Sequence, residues 1–281
     1  MLSCISSSSS LSFAAPDADV VLRSSGSDSS DFKVHKCILA VASPFFRTMF
    51  TLPQGAGKDA DIPVIEVAEY STILETLLRF VYPIQDPSVS SLDELVPIMC
   101  AAAKYEMDAV IMRLRHLLLS KPFITSSPVR VYAIAARFEL EDVAKVASSH
   151  TLSVNVLDSP LSDDLKHITA YSYHRLLDLH RQRADAAQRA LQTPDTITIK
   201  CVQCNGAVAQ SFATPRWWEE FRVRAADELR RRPTTDRIFS LGFLMQCAQA
   251  TGCARCAGSI LESHVFLEKL KETIDSLPST I

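Results

Sequence analysis

Two short segments near the C-terminal end repeat one device: Cys201-Val202-Gln203-Cys204-Asn205-Gly206 and Cys253-Ala254-Arg255-Cys256-Ala257-Gly258. Thiolates two residues apart can reach a single ion at about 2.3 Å. A glycine two places after the second cysteine can take positive φ, so the turn curls and its N–H groups face the sulfurs. Two such knuckles supply four sulfurs and close a tetrahedral structural site, which predicts zinc at Cys201, Cys204, Cys253 and Cys256. Gly206, Gly252 and Gly258 adjoin the pairs, in a chain with seven glycines. The 48 residues between the pairs exceed the spacer of about 15–20 in an ordinary zinc ribbon. Three other readings stand beside the metal. The pairs could be thioredoxin-type redox centres, although no βαβ context surrounds them. They could be buried reduced cysteines. Cys247 or His264 could replace one ligand, and both rank below the paired four.

Other chemistry is thin. Gly55-Ala56-Gly57-Lys58-Asp59 lacks the earlier glycine and the Ser/Thr of a phosphate loop and reads as a surface turn. His174 and Asp178 share a helix face and read as a surface pair. His174 and His180 face differently, which is wrong for a metal pair. No nucleophile elbow, kinase set or dinucleotide fingerprint occurs, so the chain is expected not to be an enzyme. Arg230-Arg231-Arg232 ends a helix, where cations suit the macrodipole. From Arg216 to Arg237 seven arginines stand against five acids, which reads as a solvated helix end, not a nucleic-acid face. The whole chain has 281 residues, 29 Lys+Arg, 32 Asp+Glu and a formal charge of −3, with 47% hydrophobic residues. That is the make-up of a globular protein with ample core, and it gives no support to general nucleic-acid coating.

The elements that must position the cysteines are mostly helical. Thr214-Pro215 opens a helix with Trp217, Trp218, Phe221, Ala225 and Leu229 on one face. Ile238, Leu241, Leu244, Met245 and Ala248 mark a second. Ile260, Leu261, Leu267, Leu270, Ile274 and Leu277 mark a terminal helix, and Thr196 to Lys200 alternates as a short strand. A zinc ion would tie that strand to the helix start after Cys256. Upstream, Ser127-Pro128 and Ser159-Pro160 mark helix starts. Apolar stripes run Val131, Ala135, Phe138, then Leu161, Leu165, Ile168, then Leu176, Leu177, Leu179.

The front half is mixed. Val20, Val21 and Leu22, the turn Ser24 to Ser30, then Phe32 and Val34 form a hairpin pattern. Ile38, Leu39, Val41 and Ala42 begin a helix. Ser43-Pro44 caps another that carries Phe45, Phe46, Met49 and Phe50. Val64, Ile65 and Val67 read as a third strand. Thr72/Glu75 and Ser91/Glu94 read as capping boxes, and Pro83 ends the first of those helices. Cys37 and Cys100 lie on apolar stripes and read as small core residues. Residues 1–16 are Ser-rich and read as a disordered tail.

The segment Asp31 to Phe50, with His35-Lys36, Leu39-Ala40, Ser43, Phe46 and Phe50, together with Asp19 before the first strand and Leu78-Arg79-Phe80-Val81-Tyr82 further on, resembles the BTB/POZ domain over about residues 17–120. The resemblance implies an α+β fold, a small sheet flanked by helices, followed here by a helical C-terminal region. It also implies protein partners, commonly a homodimer, and in many members a role as adaptor for cullin-type ubiquitin ligases. Asp19 and Lys36 would be a charged pair near the partner-facing groove, with His35 beside them. The alternatives are exposed charges at strand ends and a satisfied structural histidine. Adaptors often carry a hydrophobic-x-Glu motif after the Phe50 helix. Here Leu52-Pro53-Gln54 has Gln in place of the acid, which loses a charge-assisted hydrogen bond.

The expected organisation is therefore 1–16 tail, 17–120 BTB/POZ domain, 121–192 helical BACK-like extension and 193–281 helical module with two CxxC knuckles. The last part resembles fungal BTB proteins with C-terminal CxxC pairs and an intervening Trp-Trp segment. No basic, apolar leader and no run of about 18 apolar residues occurs, so cytosol or nucleus is expected, with reduced thiols. The expected function is that of a non-enzymatic protein-interaction module. A nuclear regulator using the C-terminal module on DNA is the alternative, and a thiol-redox protein the next.

Overall fold

The structure is a computed structural model and describes residues 13–52, 62–192, 199–204 and 214–281. It divides into two compact units between Leu118 and Leu119.

The first unit is built on a three-stranded sheet with order β2-β1-β3. Strands β1 (Val20–Ser25) and β2 (Asp31–Val34) form the expected hairpin, paired antiparallel with Val20 opposite Val34. Strand β3 (Val64–Tyr70) runs parallel to β1. Val20, Val21 and Leu22 are all buried, as suits a central strand covered on both faces. In β2 only Phe32 and Val34 turn inward. Serines hold the hairpin turn: Ser24 Oγ accepts from the Ser30 amide at 2.8 Å, and Ser29 Oγ donates to the Ser24 carbonyl at 2.8 Å. Gly26 sits in that turn with φ +98°, and an added Cβ would meet the Tyr70 ring at 3.0 Å.

Helices α1 (Lys36–Ala42), α2 (Pro44–Thr51), α3 (Ser71–Val81), α4 (Leu92–Lys104) and α5 (Asp108–Leu118) complete the unit. Ser43 caps α2 as expected, accepting from the Phe46 amide at 3.0 Å. Its hydroxyl donates to the Tyr105 carbonyl at 2.5 Å, so one side chain joins two elements distant in sequence. The second capping box forms in a shifted register. Ser91 Oγ accepts from the Glu94 amide, while the Glu94 carboxylate reaches Ser90. The first does not form. Strand β3 runs straight into α3, which begins at Ser71 with Tyr70 as its uncapped N-terminal neighbour, so Thr72 already lies inside the helix. Cys37 is exposed and not a core residue. Helix α1 buries only Leu39, so an apolar pattern there does not mark an inward face.

The second unit is helical: α6 (Lys121–Ser126), α7 (Pro128–Arg137), α8 (Glu141–Thr151), a 3-10 turn (Asp163–His167), α9 (Ala170–Ala190), α10 (Arg216–Arg231), α11 (Leu241–Ala250), α12 (Cys256–Glu262) and α13 (His264–Asp275). Helix α9 packs on α10 and α13, and α10 on α11 and α12. Trp217, Trp218, Phe221, Ala225 and Leu229 all point into one core, as the helical spacing predicts. They meet Leu244, Cys247, Ile260, Leu267, Leu270 and Ile274, with Ala187 and Leu191 from the end of α9.

Two expectations for this unit fail, and a third falls mostly outside the described residues. Ser159-Pro160 does not start a helix, and Leu161 is exposed instead of lying on a buried stripe. Ser162 caps the 3-10 turn from the Asp164 amide, and Arg130 Nε holds buried Asp164 at 2.7 Å, so polar contacts set this segment. The terminal helix is broken at Ser263 into α12 and α13, and Leu261 faces solvent. Of the strand expected over Thr196 to Lys200, residues 196–198 lie outside the described residues, and Ile199 and Lys200 carry no strand.

One tie had no sequence signal. Arg183, on α9, is buried. Its guanidinium donates to the carbonyls of Pro233 (2.9 Å), Pro278 (2.9 Å), Ile274 (3.1 Å) and Leu277. It therefore satisfies the open carbonyl end of α13 and fixes the segment after α10. Burial pushes its pKa down from the usual arginine value.

Candidate metal centre and partner-binding residues

The four knuckle cysteines come together. Their sulfurs all lie within 4.8 Å of one another. Cys201 Sγ is 3.7 Å from Cys253 Sγ, and Cys204 Sγ is 3.8 Å from Cys256 Sγ, so sulfurs of different knuckles are in contact. A tetrahedron with bonds of about 2.3 Å has edges of about 3.8 Å, so these two edges fit a four-sulfur zinc shell. Cys256 is the first residue of α12 and Cys253 precedes it by one turn. The glycine that bends the chain here is Gly252, with φ +66°. Gly258, expected to hold positive φ, instead lies inside α12, because the helix begins at the second cysteine. Gly206 lies outside the described residues.

Backbone amides face the sulfurs. Arg216, at the start of α10, donates N–H to Cys204 Sγ at 3.4 Å. The Trp217 amide acts on Cys256 and the Arg255 amide on Cys253, each favouring the thiolate. These contacts place partial positive charge on thiolate acceptors and complete the donor set that metal-bound sulfurs use. The thiols differ in environment. The Arg255 amide pulls Cys253 down to about 7, whereas burial pushes Cys204 up to about 12 and raises Cys256. A dication among the four would lower all of them, because it favours the charged form of each.

A second layer holds the cluster from outside. Trp217 Nε1 donates to Ser259 Oγ at 2.8 Å, and Ser259 Oγ donates to the Lys200 carbonyl at 2.6 Å. This chain links α10, α12 and the residue before Cys201. Sequence reasoning placed Trp217 in the core but missed Ser259, whose one signal is its position three residues after Cys256. The two substitute ligands do not join the cluster. Cys247 lies in the apolar core, where burial pushes its thiol up to about 11, and His264 Nδ1 faces the Leu261 carbonyl.

In the first unit the expected partner-facing residues sit together at the entry to α1. Asp19 Oδ1 accepts from the backbone amide of Lys36 at 2.7 Å, so it caps α1 in place of His35, whose side chain makes no cap bond. The expected charge-to-charge pair is thus a carboxylate-to-amide contact. His35 has its own partners: Nδ1 lies 3.1 Å from the Tyr82 hydroxyl, which also accepts from the His35 amide, and Nε2 lies 3.3 Å from Asp17. Val41 in α1 and Phe45 in α2 are 81% and 40% exposed, beside exposed Arg47 and Thr48.

The remaining candidates stay apart. Asp178 turns to Arg181 and Gln182 instead of His174, which is exposed. His180 is largely buried against Thr151 Oγ1 at 3.0 Å, and burial pulls it down to about 4. Arg231 pairs with Asp227, and Arg232 with Glu228. Gly55 to Asp59, Pro53 and Gln54 lie outside the described residues. No described helix is long and apolar enough to cross a membrane.

No curated protein matches the chain. The BTB/POZ domain family matches residues 14–122, the same span that carries the hairpin, the parallel third strand and helices α1 to α5. Residues 14–122 of this chain are therefore a BTB/POZ domain, a protein–protein interaction module.

Proposed function

We propose that the chain is a non-catalytic interaction protein. Its BTB/POZ domain pairs with a second copy of itself, and its second unit is a helical module held by one structural zinc ion at Cys201, Cys204, Cys253 and Cys256. The observation that carries the first half is the domain match over residues 14–122 joined to the apolar residues exposed on α1 and α2. Helix α1 buries Leu39 alone and leaves Val41 81% exposed, and exposed apolar residues of this kind suit an interaction site. Asp19, His35 and Lys36 stand at the base of the same helix as partner-binding residues.

Support for zinc comes from the donor set: four sulfurs within 4.8 Å of one another, two of their separations at 3.7 and 3.8 Å, met by a backbone amide and by no described fifth ligand. A filled sulfur shell leaves no open position for substrate, so the ion's role is to fold and hold. The test has two arms on the full chain. Elemental analysis of protein purified under reducing conditions is expected to give about one zinc per chain, and a metal-free preparation with a cooperative melt of the second unit would sink the metal. Light scattering is expected to give a dimer that Val41→Asp converts towards monomer. A wild-type monomer at high concentration would sink self-association.

A further inference from the structure

Two sulfur contacts cross between the knuckles and use each cysteine once. In each, one member is buried and the other only half-buried. Cys201 (1% exposed) touches half-buried Cys253, and Cys256 (0% exposed) touches half-buried Cys204. We infer that the cluster is a peroxide-responsive site in which oxidation exchanges the metal staple for two disulfides, Cys201–Cys253 and Cys204–Cys256. The inference rests on the zinc reading above.

The half-buried sulfur of each pair is the one a hydroperoxide reaches. A thiolate attacks one peroxide oxygen, the O–O bond breaks, and the products are a sulfenic acid and hydroxide, or an alkoxide from an organic peroxide. The buried thiolate of the same pair already sits 3.7–3.8 Å away. It attacks the sulfenic sulfur, forms the S–S bond and releases hydroxide. Each disulfide thus consumes two thiolates and one peroxide and releases two hydroxides (or one hydroxide and one alkoxide), which take two protons from the buffer. The sulfur is oxidised and the peroxide oxygens are reduced to water. With its ligands oxidised the ion is released.

Which sulfurs pair decides the consequence. Within-knuckle disulfides, Cys201–Cys204 and Cys253–Cys256, would close tiny rings and let the two segments part. Cross-knuckle disulfides bridge a separation of 52 residues, so they tie the same two segments that the metal tied, and loops of that length are where a cross-link restricts the unfolded chain most. Oxidation is therefore expected to empty the site without unfolding the module. The Trp217–Ser259–Lys200 chain would hold the sulfurs in this pairing.

The test treats zinc-loaded full-length protein with hydrogen peroxide and follows three readouts: zinc captured by a chromogenic chelator, circular dichroism, and disulfide-linked peptides by non-reducing mass spectrometry. Release of the zinc, retained helicity and peptides joining Cys201 to Cys253 and Cys204 to Cys256 are the expected result, reversed by reductant with added zinc. Within-knuckle peptides, loss of helicity on release, or zinc that stays bound while exposed Cys37 is oxidised would each overturn the inference. Zinc content measured before peroxide separates the two readings. A chain without zinc overturns both, whereas a zinc-loaded chain that fails the peroxide test overturns only this one.

Discussion

The two units close their folds by different means. In the first, segments far apart in sequence are joined mainly by backbone pairing: β3 adds to β1 in parallel across more than forty residues, with side-chain bonds such as Ser43 to the Tyr105 carbonyl added to it. In the second, the joints between distant segments are side chains. Arg183 reaches carbonyls 50 to 95 residues away, Trp217 and Ser259 reach Lys200, and the cysteines meet across 52 residues. Backbone pairing spreads closure over many weak bonds, whereas side-chain ties concentrate it in a few residues. The first unit should therefore tolerate single losses that the second does not.

The largest expected effect sharpens that contrast. Chelation under reducing conditions removes a ligand whose binding is folding energy, with apparent values on the order of 10 kcal/mol for structural zinc. It is expected to melt the second unit while the first stays folded, read as loss of the near-ultraviolet signal of Trp217 and Trp218, both in the second core. A first unit that melts together with it would break the comparison. Next comes Arg183→Met, which keeps much of the side-chain volume but leaves buried carbonyls unmatched. A loss of about 3 kcal/mol in denaturant unfolding is expected, and a loss below about 1 kcal/mol would show that the tie carries little.

His180 predicts a pH effect of similar or smaller size. Its folded pKa is about 4 against 6.5 for the free group. The unfolded chain thus binds a proton that the fold refuses between those values. The contribution is complete above about pH 6.5 and is lost as pH falls through about 4, up to about 3 kcal/mol on a linkage basis. The metal site also loses ligands in acid, so the measurement is a difference: His180→Gln should flatten the stability profile between pH 7 and 4.5 relative to wild type. Parallel profiles would remove His180 as the cause. The smallest effect is expected in the first unit. Ser43→Ala loses the α2 cap and the Tyr105 contact, at about 1–2 kcal/mol by chemical denaturation, with the second unit's melt unchanged.

Much of the first unit is legible in the sequence alone. Hairpin, third strand and helix starts are written in alternation, turn residues and caps within a few positions of each other. The capping box expected at Thr72 failed because β3 leaves no turn before α3, which depends on where the strand ends in the sheet. Cys37 and Leu161 failed because an apolar residue at helical spacing says nothing about which side of the element another element covers. Of the candidate site, the four cysteines were legible from spacing. Ser259 and Arg183 were not, because a serine or an arginine inside a helix has the same local pattern whether it faces solvent or a carbonyl fifty residues away.

By itself, then, the amino-acid order determined which atoms were available: a BTB/POZ pattern in the front half, two dithiol turns in the back, and the amphipathic helices between them. Tertiary structure alone decided who met whom. It brought the knuckles together with sulfur contacts running across them, turned Asp19 to the Lys36 amide, and buried Arg183 against the end of α13. The reason is physical. Helix and strand propensities act over a few residues, whereas a sulfur cluster or a buried guanidinium is specified by packing that only the folded core supplies.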